Sequence, residues 1–140
     1  MKENLKIIDK LRSSGLRPTK QRVQIADFLF NREKTFHFTV EDLDNLINSK
    51  NDKEKISLAT FYNTVHAFTK AGQLKEILTK NNKSYFDTHT GPHNHFFDQE
   101  DNKLTDINSK EIQIKNIPNA PKGKSIKDVD IIINIKNDSQ

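Results

Sequence analysis

Apolar residues recur along the first part of this chain at intervals of three and four, and then give way to short alternating runs. Leu5, Ile8 and Leu11 are spaced for a short helix over residues 3–14, which stops near Ser13, Ser14 and Gly15. A second helix opens at Pro18 or Thr19 and runs to about Phe30, with Val23, Ala26, Leu29 and Phe30 inward. Residues 31–38 read as a loop. Thr39 starts a third helix with a T-x-x-D variant of the capping box, and Val40, Leu43, Leu46 and Ile47 form its buried stripe. After a polar stretch at 49–55, the segment from Ser57 to Gly72 has every mark of a complete helix. Ser57 supplies the N-cap and Gly72 the left-handed terminator, with Leu58, Phe61, Val65 and Phe68 on one stripe between them.

Beyond Gly72 the period changes to two. LKEILT and SYFDT around KNNK predict a hairpin whose basic tip includes Lys80, in the place where a winged helix has its wing. Gly91 and Pro92 break regularity and mark a hinge. HFF, KLTDI and EIQIKNI are short strand candidates, PNAPKG is a loop, and residues 125–136 alternate with Val129, Ile131, Ile133 and Ile135 on one side. The expected class is α+β. A winged helix-turn-helix domain occupies 1–88, a hinge 89–92 and a small α/β or mostly β dimerisation domain 93–136, with a frayed tail at 137–140. So few strands bury little apolar surface alone, and a second copy of the chain is the natural cover.

The outer face of the Ser57–Gly72 helix changes what this layout implies. It carries Ala59, Thr60, Asn63, Ala67 and Lys70, which are small or polar and include no carboxylate. A helix in the DNA major groove needs short side chains for close approach and an amide that can pair with adenine. An ordinary solvated surface helix has the same composition, and the helix alone does not choose. Charge adds to the DNA reading. Residues 1–88 hold 16 Lys and Arg against 11 Asp and Glu, a balance of +5, whereas residues 89–140 hold 7 against 8, a balance of −1. Arg17, Lys20 and Arg22 gather at the start of the second helix, where backbone N–H groups already favour phosphate. Solvated surface charge is the competing reading for each of them.

Composition removes other classes. The mean hydropathy of −0.81 is polar for one large core and suits two small units. With no cysteine, disulfides, thiolate zinc and cysteine nucleophiles are excluded, and any metal must be held by His, Asp or Glu. No apolar run approaches a membrane span and charges interrupt the first ten residues, so no membrane partner and a cytoplasmic location are expected.

His93 and His95 are two apart in an extended segment, so both imidazoles leave on one side, as capture of one metal ion requires. Asp87 and His37 complete a nitrogen and oxygen set suited to zinc, iron or manganese. An isolated H-x-H also arises by chance. His66 on the helix flank reads as a packing or phosphate-contacting residue, and His89 is indistinguishable from a loop residue. A metal-dependent hydrolase using the same cluster is the rival class, although no H-E-x-x-H or G-x-S-x-G is present. A module that binds protein through its wing and helix is the third.

The segments GLRPTKQR, FHFTVEDL, ISLATFYNTVHAFTKAG, YFDT and HNHFF occur in order, and over roughly residues 14–136 the chain resembles the ferric uptake regulator family, most closely its iron-response regulator branch. The resemblance implies a homodimeric repressor or activator of iron and haem genes, acting on double-stranded DNA at an AT-rich operator. It implies base contacts from Tyr62 and Asn63, with Ser57 and Thr60 beside them, and a phosphate or minor-groove contact from Lys20. It places regulatory metal, or haem, at His37, Asp87, His93 and His95. Departures from the family pattern carry their own implications. Without cysteine there is no structural zinc site, and Pro92 and Asn94 stand where a second metal site needs ligands. A loop around Pro118 to Gly123 replaces a long helix, and PHNH keeps two of the branch's three consecutive histidines.

Overall fold

The coordinates are a computed structural model that describes residues 2–139. They divide into two compact units, 1–90 and 91–140. The first unit is a winged helix-turn-helix and the second is β-rich. Gln140, at the end of the expected frayed tail, lies outside the described residues.

The first unit runs α1 (Lys2–Ser13), α2 (Lys20–Phe30), β1 (His37–Phe38), α3 (Val40–Asn48), α4 (Leu58–Lys70), β2 (Lys75–Leu78) and β3 (Ser84–Asp87). Its helices are capped as their sequences require. Thr19 and Ser57 accept N–H bonds from Arg22 and Thr60, and Thr39 and Asp42 form a reciprocal capping box. At the end of α4 the Gln73 N–H reaches Phe68 O at 2.9 Å while Gly72 takes φ 80°, a Schellman closure that a Cβ would strain. The Gln73 side chain then donates to Lys10 O at 3.0 Å and Ser14 Oγ at 2.6 Å, fastening the end of α4 to the end of α1.

Leu11, Ile25, Leu29, Leu43, Phe61, Val65 and Phe68 meet in one core beneath these helices. Three expected core positions lie outside it. Leu5 is 61% exposed because α1 turns Ile7 and Leu11 inward; Leu46 sits about 100° around α3 from Ile47 and about 60° from Leu43, at the margin of the buried stripe; and Leu58, in the first turn of α4, points to solvent. Thr64 takes an inward place on α4 instead, its hydroxyl donating to Thr60 O at 2.7 Å.

Residues 31–38 are not wholly loop. His37 and Phe38 form β1, which pairs antiparallel with β3 so that His37 faces Asp87 and Phe38 faces Phe86. The sheet order is β1-β3-β2, and β2 and β3 make the wing. At its tip Thr79 bonds to Asn81 and Asn82 takes φ 60°, the left-handed turn for which the Asn-rich sequence is suited.

The second unit holds β4 (Asn94–Asp98), β5 (Lys103–Ile107), a single 3-10 turn at Ser109–Glu111 and β6 (Ile132–Ile135). Its order is β5-β4-β6, antiparallel for β4 and β5 and parallel for β4 and β6. One face presents His95, Phe97, Leu104, Asp106, Ile132 and Asn134; Phe97 and Leu104 are buried there. The other presents Phe96, Ile133 and Ile135, and these two isoleucines, expected inward, are exposed. EIQIKNI is not a strand. Its first residue closes the 3-10 turn, Asn116 takes φ 63°, and Ile114 and Ile117 stand exposed. Among the described residues no helix lies between Glu111 and Ile132, and none is long and apolar enough to cross a membrane.

Candidate functional site

In the first unit the two-residue strand β1 aims one histidine at one carboxylate. Phe36 stacks on Phe38 with ring centroids 5.4 Å apart, and Phe38 packs against Phe86 at 5.8 Å. The Phe36 N–H donates to Thr88 Oγ1 at 3.0 Å, the Thr88 N–H returns to Phe36 O at 3.2 Å, and the Arg32 guanidinium lies 4.2 Å over the Phe36 ring. Between these anchors His37 Nε2 stands 3.0 Å from Asp87 Oδ2. Asp87 is fully buried and its Oδ1 accepts the His89 N–H at 2.8 Å. A buried carboxylate favours a nearby cation, and an imidazole beside it supplies a second donor.

In the second unit His93 and His95 leave the start of β4 on one side, as their spacing predicts, with ring centroids 4.4 Å apart. Both are buried, at 7% and 3% exposure. His93 Nδ1 lies 2.8 Å from Gly91 O, a contact that suits a proton on Nδ1 and makes Nε2 the ring nitrogen suited to hold a metal. Asp106, opposite His95 in the β4–β5 register, brings Oδ1 to 3.3 Å from His95 Nε2 and 3.6 Å from His93 Nε2. The ligand atoms of these three lie within 4.8 Å of one another. Two imidazole nitrogens and a carboxylate oxygen are a donor set for zinc, iron or manganese, so these residues fit a resident divalent ion.

Asp106 is the site residue that the sequence reading lacks. Its signal was the hairpin itself. Once HFF and KLTDI are strands around the turn at residues 99–102, counting outward puts residue 106 across from residue 95. That turn is set by Asp98 Oδ1, which accepts the N–H groups of Glu100 and Asp101, and by Asn102 at φ 56°.

The residues expected to meet DNA lie on the first unit. Ala59, Asn63 and Lys70 are exposed along the outer face of α4, with Thr60 and Ala67 half-buried between them. Ser57 Oγ and Thr60 Oγ1 are 2.9 Å apart, so both hydroxyls are engaged at the helix start. Tyr62 is exposed and its hydroxyl donates to Glu41 Oε1 at 2.5 Å. That hydrogen bond, reinforced by partial burial and by the Glu41 charge, pushes the phenol above its ordinary value. Lys20 pairs with Glu54 at 3.3 Å in full exposure, a weak association. Arg22 donates to Arg17 O at 3.0 Å, and Lys80 stands exposed at the wing tip. His66 is exposed on α4, and His89 contributes its backbone N–H to Asp87.

A family model for the ferric uptake regulator family matches residues 13–135. The chain is similar to the peroxide-responsive repressor PerR of Staphylococcus aureus (strain Mu50), 31% identical over 100 residues that make up 71% of this chain and 65% of that protein. It is similar also to the peroxide operon regulator of Bacillus subtilis, 30% identical over 100 residues, 71% of this chain and 66% of that one. The match thus spans just under two thirds of the length of these curated relatives. Its fold is similar to that of the ferric uptake regulator of Pseudomonas aeruginosa solved with manganese, with a TM-score of 0.66 at 19% identity over 94% of this chain and 97% of that one.

Proposed function

Because the chain belongs to the ferric uptake regulator family, we propose that it is a dimeric, DNA-binding transcription regulator in which one divalent metal ion joins two half-sites. His37 and Asp87 supply donors from the first unit, and His93, His95 and Asp106 from the second. The observation that carries this reading is the buried pair His93 and His95 facing the half-exposed carboxylate of Asp106, a set with the donor chemistry of a metal site. Asp87 and His93 are six residues apart in the sequence, on either side of the boundary between the units. An ion held by both fixes the angle at which the first unit presents α4.

The metal, when bound, acts as a structural clamp, and this chain's residues do the rest. The aromatic anchors hold His37 in place, Gly91 O orients His93, and the α4 face meets the duplex. The apolar strip of Phe96, Ile133 and Ile135 favours a homodimer through the second unit. Iron homeostasis is the proposed role, with a divalent ion or haem as the effector, and the burial of His93 and His95 favours the bare ion. The relatives' names add peroxide as a signal. Family membership replaces the hydrolase alternative.

Binding of a randomised duplex library by the full chain, alone and with manganese, iron(II), zinc, haem or hydrogen peroxide after metal loading, tests this reading. Enrichment of a palindromic AT-rich duplex that changes with a divalent ion is expected. Enrichment indifferent to every metal, or none at all, would overturn it.

A further inference from the structure

Tyr62 sits on α4 one position before Asn63, on the flank that faces the start of α3. Its hydroxyl hydrogen is committed to Glu41 Oε1. Glu41 belongs to the first turn of α3, where the N-terminal dipole favours a carboxylate. The pair stands on the wall of a cleft of about 620 Å³ that Val65, His66, Glu76 and Lys83 also line.

Two physical consequences follow from that hydrogen bond. A phenol has one proton to donate, and with it spent on Glu41 the hydroxyl has none left for an acceptor on a base or a phosphate. A carboxylate that faced the duplex freely would be repelled by it, whereas one tied to the phenol is held against α3. What Tyr62 then offers outward is its ring, an apolar surface. In the major groove the apolar feature is the thymine 5-methyl group.

We propose that Glu41 is a positioning residue for Tyr62, engaging the phenol hydroxyl so that Tyr62 reads DNA through its ring on thymine methyl groups while Asn63 reads through its amide. The assignment rests on the DNA-binding role proposed above and adds to it a residue on the neighbouring helix that sets specificity without touching a base. Glu41 acts through Tyr62, so its effect appears in discrimination and not in affinity for random DNA.

The test uses the manganese-loaded full chain and the tightest duplex recovered from a randomised library, with each thymine replaced in turn by uracil. For the unaltered protein, replacement at a contacted thymine should weaken binding about fourfold, the worth of one methyl group. Tyr62→Ala should abolish that ratio. Glu41→Ala and Tyr62→Phe should each diminish it, with no further loss when combined, and Glu41→Gln, which keeps an acceptor, should restore it. A second arm needs no DNA. The phenol titration of the protein minus that of Tyr62→Phe isolates Tyr62, which should ionise above the ordinary tyrosine value and fall back towards it in Glu41→Ala. An unchanged thymine ratio in Glu41→Ala overturns the proposal. So does a Tyr62 titration indifferent to Glu41. Failure to recover any duplex overturns the function reading beneath it, and the titration still reports separately whether Glu41 holds the phenol.

Discussion

His95 and Asp106 are cross-strand partners in the β4–β5 ladder, with Nε2 and Oδ1 3.3 Å apart. The first unit uses the same device, for His37 and Asp87 are register partners between β1 and β3 with Nε2 and Oδ2 3.0 Å apart. Antiparallel pairing holds directly opposed Cβ atoms about 5 Å apart, close enough for an imidazole and a carboxylate to converge on one point. Backbone ladders therefore position the donors, and the side chains need little ordering of their own.

Asp106→Ala should lower manganese affinity about 100-fold, measured by titration calorimetry on the full chain. Asp106 is 40% exposed, so the same change should leave metal-free unfolding within about 0.5 kcal/mol of the unaltered protein. Unaltered metal affinity would remove Asp106 from the donor set.

Asn63→Ala should cost about 1–3 kcal/mol on the best duplex and relax preference at one base pair, whereas Lys20→Ala should weaken all sequences alike and flatten the salt dependence by about one unit. Lys20 rests against Glu54, so Glu54→Gln should raise affinity for random duplex by freeing that ammonium. Binding measured over a salt series separates the three. Equal losses on specific and random DNA from Asn63→Ala would refute its assigned role.

Gly72→Ala should destabilise the first unit by about 1–2 kcal/mol, entirely through the backbone. Its φ is 80°, and an added Cβ would meet nothing within 4 Å. Ser57→Ala, which removes the other cap of the same helix, should cost about 1 kcal/mol. Urea unfolding followed by far-ultraviolet dichroism checks both, and a Gly72→Ala protein as stable as its parent would contradict the left-handed assignment.

Helix α4 was legible because every local signal agreed: a capping serine, an apolar stripe at helical period, and a terminating glycine. The stripe still misplaced two positions. Counting only apolar residues passed over Thr64, whose hydroxyl is satisfied by Thr60 O and so can be buried, and it included Leu58, which the first turn leaves outside. Strand β1 was illegible for a different reason. Two residues carry no period, and their pairing partner lies about fifty residues away. His37, Asp87, His93 and His95 were found from residue type and spacing, while Asp106 depended on a register that only the folded turn fixes. The run EIQIKNI alternates as a strand should, yet Asn116 in a left-handed conformation interrupts it.

The parallel pairing of β4 with β6 has a consequence for the order in which this protein is made. The hairpin bearing His93, His95 and Asp106 is finished at Ile107, but the strand that covers the other side of β4 begins only at Ile132. A ribosome adding about 5–20 residues per second leaves that side uncovered for roughly one to five seconds. During that interval the nascent chain displays an open β-edge next to its imidazoles, and this is when it is most exposed to mispairing with a neighbouring nascent copy.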